Sequence, residues 1–271
     1  MRRGRKGALA ALAVLYLFAI FAGFLAPYDP AAQARDLAFS PPSRQHVLGT
    51  DGFGRDQLSR LLYGARISLL AGPLGAAVSI AGAVLLGGAA GFFGGWIDAL
   101  IMRTGELFVA VPWFYLLFAV RMAMPLRVEP AQAFLMILAL VALVGWARPA
   151  RLIRGVVLSA RTRDYVVAAR SLGASNVHLL RRHVLPQLIG VTLTQAALLA
   201  PQYILAEATL SFFGLGVGEP VPSWGNMLAV LQRYDVLSSY WWMFIPAAAL
   251  VAIVLLYSML ADPLHDGAGG R

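Results

Sequence analysis

Six stretches of the chain carry no acidic or basic residue other than histidine, and each approaches the length that a membrane-spanning helix requires. They are residues 8–26, 67–97, 107–120, 130–147, 183–206 and 236–261. A helix needs about 20 mostly apolar residues to cross a hydrocarbon core of about 30 Å. The third stretch is the shortest, so we expect its span to include the turn that carries Arg103 and Glu106. The pattern predicts six transmembrane helices.

The composition excludes an ordinary soluble domain. Hydrophobic residues make up 59% of the chain and charged residues 13%, whereas about a quarter of a soluble domain is charged. So few polar residues could not cover the surface of a water-soluble protein of this size. We therefore predict an all-α polytopic membrane protein in contact with lipid.

The first apolar stretch follows a basic N-terminus and has some features of a secretory signal. Its apolar length exceeds the usual ~7–15 residues of such a signal, and no clean cleavage site follows it. We interpret residues 8–26 as an uncleaved first span.

The basic residues of the connections favour one orientation. With the N-terminus inside, the inner connections (1–7, 98–106, 148–186 and 261–271) hold more lysine and arginine than the outer ones. Such an excess is typical of cytoplasmic connections. We expect both termini to be cytoplasmic.

The first long connection lies outside in this orientation. Residues 46–56 are rich in glycine and aspartate, which predicts an ordered loop of turns. Residues 57–64 carry leucines on one helical face, which predicts a short helix along the membrane surface. No G-x-x-x-x-G-K-[ST] motif occurs anywhere, so the chain cannot bind ATP through a P-loop.

The second long connection, residues 148–186, holds eight arginines and one acid, Asp164. Asp164 is expected to cap a helix that begins near Tyr165, and Gly173 to end that helix in a left-handed turn. Ser175 is expected to cap a second helix that ends before Pro186. Apolar residues recur on one face of each helix: Tyr165, Ala168, Ala169 and Leu172, then Val177, Leu180 and Val184.

This helix, glycine turn and helix has two interpretations. The small pair Ala168–Ala169 leaves room for the surface of another protein, which favours a docking element. The alternative is a positively charged cytoplasmic loop without a partner. Binding of nucleic acid is not expected, because the membrane orientation already accounts for the arginines.

The loop resembles a motif of the inner-membrane permease subunits of binding-protein-dependent ABC importers, E-A-A-x3-G-x9-I-x-L-P. Val167 occupies the usual glutamate position and His183 the usual isoleucine position. The resemblance implies a loop that sits in a cleft of an ATPase subunit. The residues to which it assigns this coupling role are Tyr165, Ala168, Ala169, Arg170, Gly173, Ala174, His183, Leu185 and Pro186.

Further motifs resemble the second permease of dipeptide, oligopeptide and nickel importers. They lie in residues 48–56 (LGTDGFGRD), 206–216 and 222–226, and the resemblance covers about 46–262. It implies the type I importer permease architecture in a bacterial inner membrane. The implied partners are a sibling permease in a heterodimer, two ATPase subunits that bind ATP and Mg²⁺, and an external binding protein.

The predicted organisation has three parts. Residues 1–66 form the N-terminal span and the external loop with its surface helix. Residues 67–262 form the core permease domain, with the ATPase-coupling loop at 148–186. Residues 263–271 form a short C-terminal tail.

The resemblance implies a transport subunit, without enzymatic activity or cofactor of its own, that forms the path for a small solute. Di- and oligopeptides are the expected cargo, with nickel or another solute as the alternative. A self-contained secondary transporter or channel is the competing class, but its expected inverted repeats are not evident. The histidines show no metal-ligand spacing and cysteine is absent, so no metal site is expected.

Glu207 is an acid at the outer end of the fifth stretch. Ionisable residues inside membranes are candidates for function, and we predict a place for Glu207 in the translocation path. The alternatives are a pair with an arginine of the sibling permease, or capping of backbone amides where the helix breaks before Gly214.

Overall fold

The computed structural model describes residues 2–125 and 128–266. Its α-helices are α1 (Arg2–Ile20), α2 (Ala22–Leu25), α3 (Gln57–Phe93), α4 (Gly95–Ala110), α5 (Trp113–Ala123), α6 (Pro130–Gly145), α7 (Ala147–Arg161), α8 (Asp164–Ser171), α9 (Asn176–Leu179), α10 (Leu185–Phe212), α11 (Trp224–Leu228), α12 (Tyr234–Ser239) and α13 (Ile245–Asp266). A π-helical turn, Leu180–Val184, joins α9 to α10. The described residues contain no β-strand, only an isolated bridge between Thr50 and Asp56. The all-α prediction is confirmed.

Three helical stretches are long and apolar enough to cross a membrane by themselves: Gln57–Phe93, Asn176–Phe212 and Trp241–Ala261. Two further pairs of helices, α4 with α5 and α6 with α7, meet the same criterion together but are bent by 88° and 46°. The apolar part of α1, Lys6–Ile20, is shorter. Length and composition thus give three spans in the described residues, or five if each bent pair is one span. The count of six stays a prediction.

Residues 107–120, predicted to lie within one span, are divided by the 88° bend between α4 and α5. Val111 is extended, and Pro112 precedes the first residue of α5. A proline disfavours the helical conformation of the residue before it, so α4 has to end at this point. The third apolar stretch therefore contains the end of one helix and most of the next.

Helix α3 begins earlier than the second apolar stretch. Residues 57–64, predicted to lie separately along the surface, are the first turns of α3. Asp56 caps α3, since its carboxylate accepts a hydrogen bond from the Ser59 amide at 2.8 Å. At the other end, Gly94 has a positive φ of 69° and separates α3 from α4.

Helix α3 packs against α7 so closely that only glycine fits at two positions. A Cβ atom on Gly87 would lie 2.3 Å from the carbonyl oxygen of Ala150, and one on Gly91 would lie 2.8 Å from the Cβ of Val157. Glycine at these two positions therefore lets the backbones of α3 and α7 approach closely. Gly95 lies beyond α3 with a positive φ of 58°, at the break between α3 and α4.

Helix α10 lies against another side of α3 and runs antiparallel to it. The Tyr203 hydroxyl of α10 donates to Ser79 of α3 at 2.9 Å, and Ser79 donates to the Val141 carbonyl of α6 at 3.3 Å. Nearer the start of α3, a Cβ on Gly72 would lie 2.7 Å from the Ala200 carbonyl oxygen. Helix α3 is therefore the common neighbour of α6, α7 and α10.

Replacing Gly87 with alanine should lower thermal stability, because the Ala150 backbone oxygen leaves no room for a methyl group. We expect a loss of about 1–3 kcal/mol, measured as a lower Tm of the protein in nanodiscs. The matched control is Gly88→Ala, since a Cβ on Gly88 meets nothing within 4 Å. Equal Tm values for the two variants would contradict the close approach of α3 and α7.

Candidate functional site

The element formed by residues 164–186 contains the predicted helix, glycine turn and helix. Gly173 has a φ of +85° and closes the turn after α8, where its amide donates to the Arg170 carbonyl at 3.0 Å. The amide of Ala174 donates to the Ala169 carbonyl at 3.1 Å. Ser175 caps α9 by accepting from the His178 amide at 3.3 Å. The glycine turn and the serine cap are confirmed.

Two details of the element differ from the predictions. Helix α8 begins at Asp164 itself, with Arg163 at the N-cap position and no side-chain cap. An acid in the first helical turn is still favourable, because it interacts with the positive end of the helix dipole.

The second helix was wrongly predicted to end before Pro186. The π-helical turn instead carries the chain from α9 directly into α10, and the Leu185 amide donates to the Leu180 carbonyl. Proline has no amide hydrogen, and its ring crowds the carbonyl four residues earlier. A wider turn before Pro186 relieves that crowding and keeps the helix continuous.

The residues that anchor the element differ from those of the predicted apolar faces. Val166, Leu179 and Val184 are fully buried, in a core that they share with Ile153 and Val157 of α7. Of this anchoring set, only Val184 belongs to one of the predicted apolar faces. The element is held to the membrane helices by these apolar contacts.

The other apolar side chains of the element point to the surface. Leu172 is 89% exposed, and Tyr165, Val167 and Val177 are about half exposed or more. Four arginines of this region are also exposed: Arg163, Arg170, Arg181 and Arg182. Large exposed apolar side chains beside basic groups are typical of a protein-binding surface.

The remaining predicted coupling residues lie around this surface. Ala168, Leu185 and Pro186 are exposed, whereas Ala169 and Ala174 are half-buried. The ring of His183 lies 5.7 Å from that of Tyr165, whose hydroxyl is hydrogen-bonded to Gln187. The Gln187 side chain also donates to the His183 carbonyl at 2.9 Å. His183 thus belongs to a small polar and aromatic cluster that braces α8 against the start of α10.

The opposite end of the molecule carries an ion-pair network that sequence reasoning missed. Arg55 donates to Asp51 at 2.7 Å and to Glu219 at 2.7 Å, and Arg60 donates to Glu219 at 2.9 Å. Both arginines are buried, whereas the Glu219 side chain is 48% exposed. These pairs fasten the loop before α3 to the connection between α10 and α11.

The network shifts the pKa values of its members. Partial burial raises the pKa of Glu219, but its hydrogen bonds and charge interactions with Arg55 and Arg60 outweigh burial and bring that pKa below the usual range. Burial lowers the pKa of Arg55, and the bonds to Glu219 and Asp51 reverse this effect and raise it. Both shifts favour the charged forms of Glu219 and Arg55. The pKa of Arg60 is lowered, because burial outweighs its interactions with Glu219 and Asp51.

A cavity of about 530 Å³ lies beside this network. Its walls come from the loop before α3 and from the connections on either side of α11, and include Phe39, Arg55, Glu219 and Met227. Gln57 also borders the cavity, and its buried side-chain oxygen has no hydrogen-bond partner among the described residues. This end of the protein therefore has a mainly apolar recess with a few charged and polar groups at its wall, which suits a peptide segment.

Glu207 lies fully buried between α3 and α10. Its two oxygens accept hydrogen bonds from the hydroxyls of Ser68, at 2.8 Å, and Ser211, at 2.7 Å. Its assignment to a translocation path stays a prediction.

Other acidic side chains have structural partners. Asp56 binds His46 at 2.9 Å in addition to capping α3, and Asp98 of α4 is paired with Arg154 of α7. Within residues 2–125 and 128–266, no group of three His, Asp or Glu side chains is arranged to hold a metal ion.

Comparison with known proteins gives two family matches. Residues 83–267 match the family described as the inner membrane component of binding-protein-dependent transport systems. Residues 5–42 match the N-terminal transmembrane domain of oligopeptide transport permease C. Together the matches include most of the helices described above.

Curated relatives are similar over most of the chain. The dipeptide transport system permease protein DppC of Bacillus subtilis is 36% identical, over 90% of this chain and 74% of its own length. The di/tripeptide transport system permease protein DppC of Pseudomonas aeruginosa is also 36% identical, over 90% and 80%. The oligopeptide transport system permease protein OppC of Bacillus subtilis is 34% identical, over 84% and 73%.

Acid should weaken the Arg55–Glu219–Arg60 network. Because folding lowers the pKa of Glu219, its contribution is present above its unfolded pKa, ordinarily 4.5, and is lost as the pH falls through the folded value. We expect Glu219→Gln to lower the Tm at pH 7 and this difference to shrink towards pH ~3. Glu106→Gln, at an exposed carboxylate of α4, is the matched control and should leave the pH profile unchanged. A constant difference between Glu219→Gln and the natural protein would contradict the network's role.

Proposed function

Because this chain belongs to the family of inner membrane components of binding-protein-dependent transport systems, we propose that it is a permease subunit through which di- or oligopeptides enter the cell. The named dipeptide and oligopeptide relatives support this cargo. The observation that carries the coupling part of the proposal is the exposed apolar and basic surface of the 164–186 element.

We assign six spans to the chain. They are α1, α3, α4 with α5, α6 with α7, α10 and α13, where each bent pair counts once. In this arrangement both termini and the 164–186 element are cytoplasmic, in agreement with the excess of basic residues on that side. The cavity beside Glu219 then faces outward.

The 164–186 element is the docking site for an ATPase subunit in this proposal. Leu172 and Tyr165 supply exposed apolar surface, while Val166, Leu179 and Val184 attach the element to the membrane helices. The continuous helical path from α9 into α10 lets a displacement of the element reach the membrane directly. ATP and Mg²⁺ bind to two partner ATPase subunits, and this chain supplies the mechanical response.

The outward end receives the peptide from an external binding protein, beside a sibling permease that completes the path. The cavity with Arg55, Glu219 and Gln57 supports contact with a peptide or a protein loop at this end, because it offers charged groups and a carboxamide oxygen without a partner among the described residues. The coupling element and this cavity are at opposite ends of α10.

Gly173→Ala should weaken capture of the ATPase subunit. A residue with a Cβ atom adopts a backbone φ of +85° at a free-energy cost of about 1–2 kcal/mol. Alanine should therefore disturb the turn that follows Leu172. Capture is measured by co-purification in detergent. Gly155→Ala is the control, because a Cβ on either glycine would meet nothing within 4 Å, but only Gly173 has a positive φ. Equal capture by the two variants would contradict the docking role.

Leu172→Asp tests the same surface without changing the backbone. Removing an exposed apolar contact and adding an acid should reduce ATPase capture about tenfold or more, as expected for an anchoring interface residue. The free energy of unfolding should stay within about 0.5 kcal/mol of that of the natural protein, since Leu172 is 89% exposed. The Tm should therefore change little. Normal capture would exclude this surface as the docking site.

The cargo is tested by uptake in proteoliposomes that contain the sibling permease, both ATPase subunits and the binding protein. Labelled dipeptide should accumulate only with internal ATP and external binding protein, and unlabelled peptide should compete. Uptake of nickel instead would replace the proposed cargo. Solute movement by this chain alone, without ATP, would favour a secondary transporter.

A further inference from the structure

Glu207 is fully buried in α10, one residue beyond the fifth apolar stretch, and Ser68 and Ser211, which donate to it, are uncharged. Its carboxylate accepts from the hydroxyls of Ser68 on α3 and Ser211 on α10. A buried carboxylate is costly unless its oxygens are hydrogen-bonded, and here both are. These two serines connect Glu207 to the segment that follows α10.

Each serine also binds the backbone of that segment, residues 213–228. Ser68 accepts from the Trp224 amide at 3.0 Å, and Ser211 accepts from the Val217 amide at 3.1 Å. A hydroxyl has one hydrogen to donate and two lone pairs to accept with. Because Glu207 takes the hydrogen of each hydroxyl, each serine oxygen is turned towards an amide of the segment.

Close packing holds the 213–228 segment against α10 at the same place. A Cβ on Gly225 would lie 2.2 Å from the carbonyl oxygen of Ala208, and one on Gly216 would lie 2.1 Å from the Ser211 hydroxyl oxygen. The Trp224 indole donates to the Leu61 carbonyl of α3 at 3.0 Å. The segment thus sits in one position relative to α3 and α10.

The segment is also closed internally. The Asn226 side chain donates to the carbonyls of Val217, at 3.1 Å, and Val221, at 2.9 Å, and accepts from the Ser223 amide at 3.0 Å. These bonds tie its two halves together, so we expect the segment to move as a unit. It carries Glu219 and forms part of the wall of the 530 Å³ cavity.

We propose that Glu207 is a positioning residue that fixes the 213–228 segment, and with it the outer cavity, through Ser68 and Ser211. In transport, a role that rests on the proposed function, the segment presents the outer surface to the binding protein. Glu207 then affects how well the loaded binding protein engages, without lining the path itself.

The chain has no cysteine, so a single introduced cysteine reports the position of the segment. Met227→Cys lies at a buried position of α11, and its reaction with a membrane-impermeant maleimide should be slow. Adding Glu207→Gln should increase the labelling rate about tenfold, because the two serines donate to different oxygens of Glu207 and glutamine replaces one of these oxygens with an NH2 donor. One buried hydroxyl then loses its acceptor. Gly218→Cys, at an exposed position of the segment, should react equally fast with either residue at 207.

Thr209→Val is the matched control on α10. The Thr209 hydroxyl donates only to the Leu205 carbonyl of its own helix, so its removal should leave labelling of Met227→Cys unchanged. Ser68→Ala is a smaller change, which removes one of the two hydroxyls between Glu207 and the segment, and it should also raise the labelling rate. This variant decides the outcome if the Glu207→Gln protein does not insert into the membrane. Unchanged labelling with Ser68→Ala and with any inserted Glu207→Gln would overturn the proposal.

Transport assays separate positioning from a general loss of structure. Glu207→Gln should raise the half-saturating concentration of peptide-loaded binding protein about fivefold, with ATPase capture unchanged. Loss of transport with unchanged labelling would overturn the proposal and assign the carboxylate to the path. The labelling test needs no transport, so a failure of the importer function and a failure of the Glu207 inference give different results.

Discussion

The fold depends on the close approach of helix α3 to α7 and α10. Backbone carbonyls of Ala150 and Ala200 lie where side chains on Gly87 and Gly72 would otherwise be. In lipid, apolar side chains gain little by leaving the solvent, so dense packing and internal hydrogen bonds have to hold helices together. The small residues of α3 allow that density on two sides at once. The 164–186 element and the cavity beside Glu219 are both attached to the helices that meet in this contact.

Polar side chains in this bundle have mainly internal partners. Ser79 links α3, α6 and α10, and Arg154 links α7 to α4 through Asp98. Burying a polar group away from water without a hydrogen-bond partner costs free energy, and these pairings avoid that cost for the groups involved. Their cumulative effect is a scaffold whose helices are linked to one another by hydrogen bonds and ion pairs as well as by apolar contacts.

Local patterns in the sequence predicted much of the architecture. Uncharged stretches located most of the helices. Gly173 and Ser175 marked a turn and a cap, because glycine tolerates a left-handed backbone and a serine hydroxyl can accept from an amide of the first helical turn. The face of α8 that is buried was not predictable in this way. Tyr165 and Val166 are both apolar, and only the position of α7 determines that Val166 points inward.

Contacts between distant parts of the chain were the main omission. Arg55 and Glu219 are separated by 164 residues, and nothing in the local sequence of either residue specifies the other. The same holds for Ser68 and Glu207, which lie on different helices. The position of Glu207 in an apolar stretch identified it as unusual, but its partners depend on the register between α3 and α10.

The right-angled bend after Ala110 affects the surrounding bilayer. Helix α4 has 16 residues and rises about 24 Å, less than the roughly 30 Å of hydrocarbon, and α5 turns 88° away from it. Backbone groups around Val111 cannot face hydrocarbon chains without hydrogen-bond partners. If α4 and α5 form one span, the lipid next to their bend must become thinner or a neighbouring protein must cover it, and the activity then depends on membrane thickness.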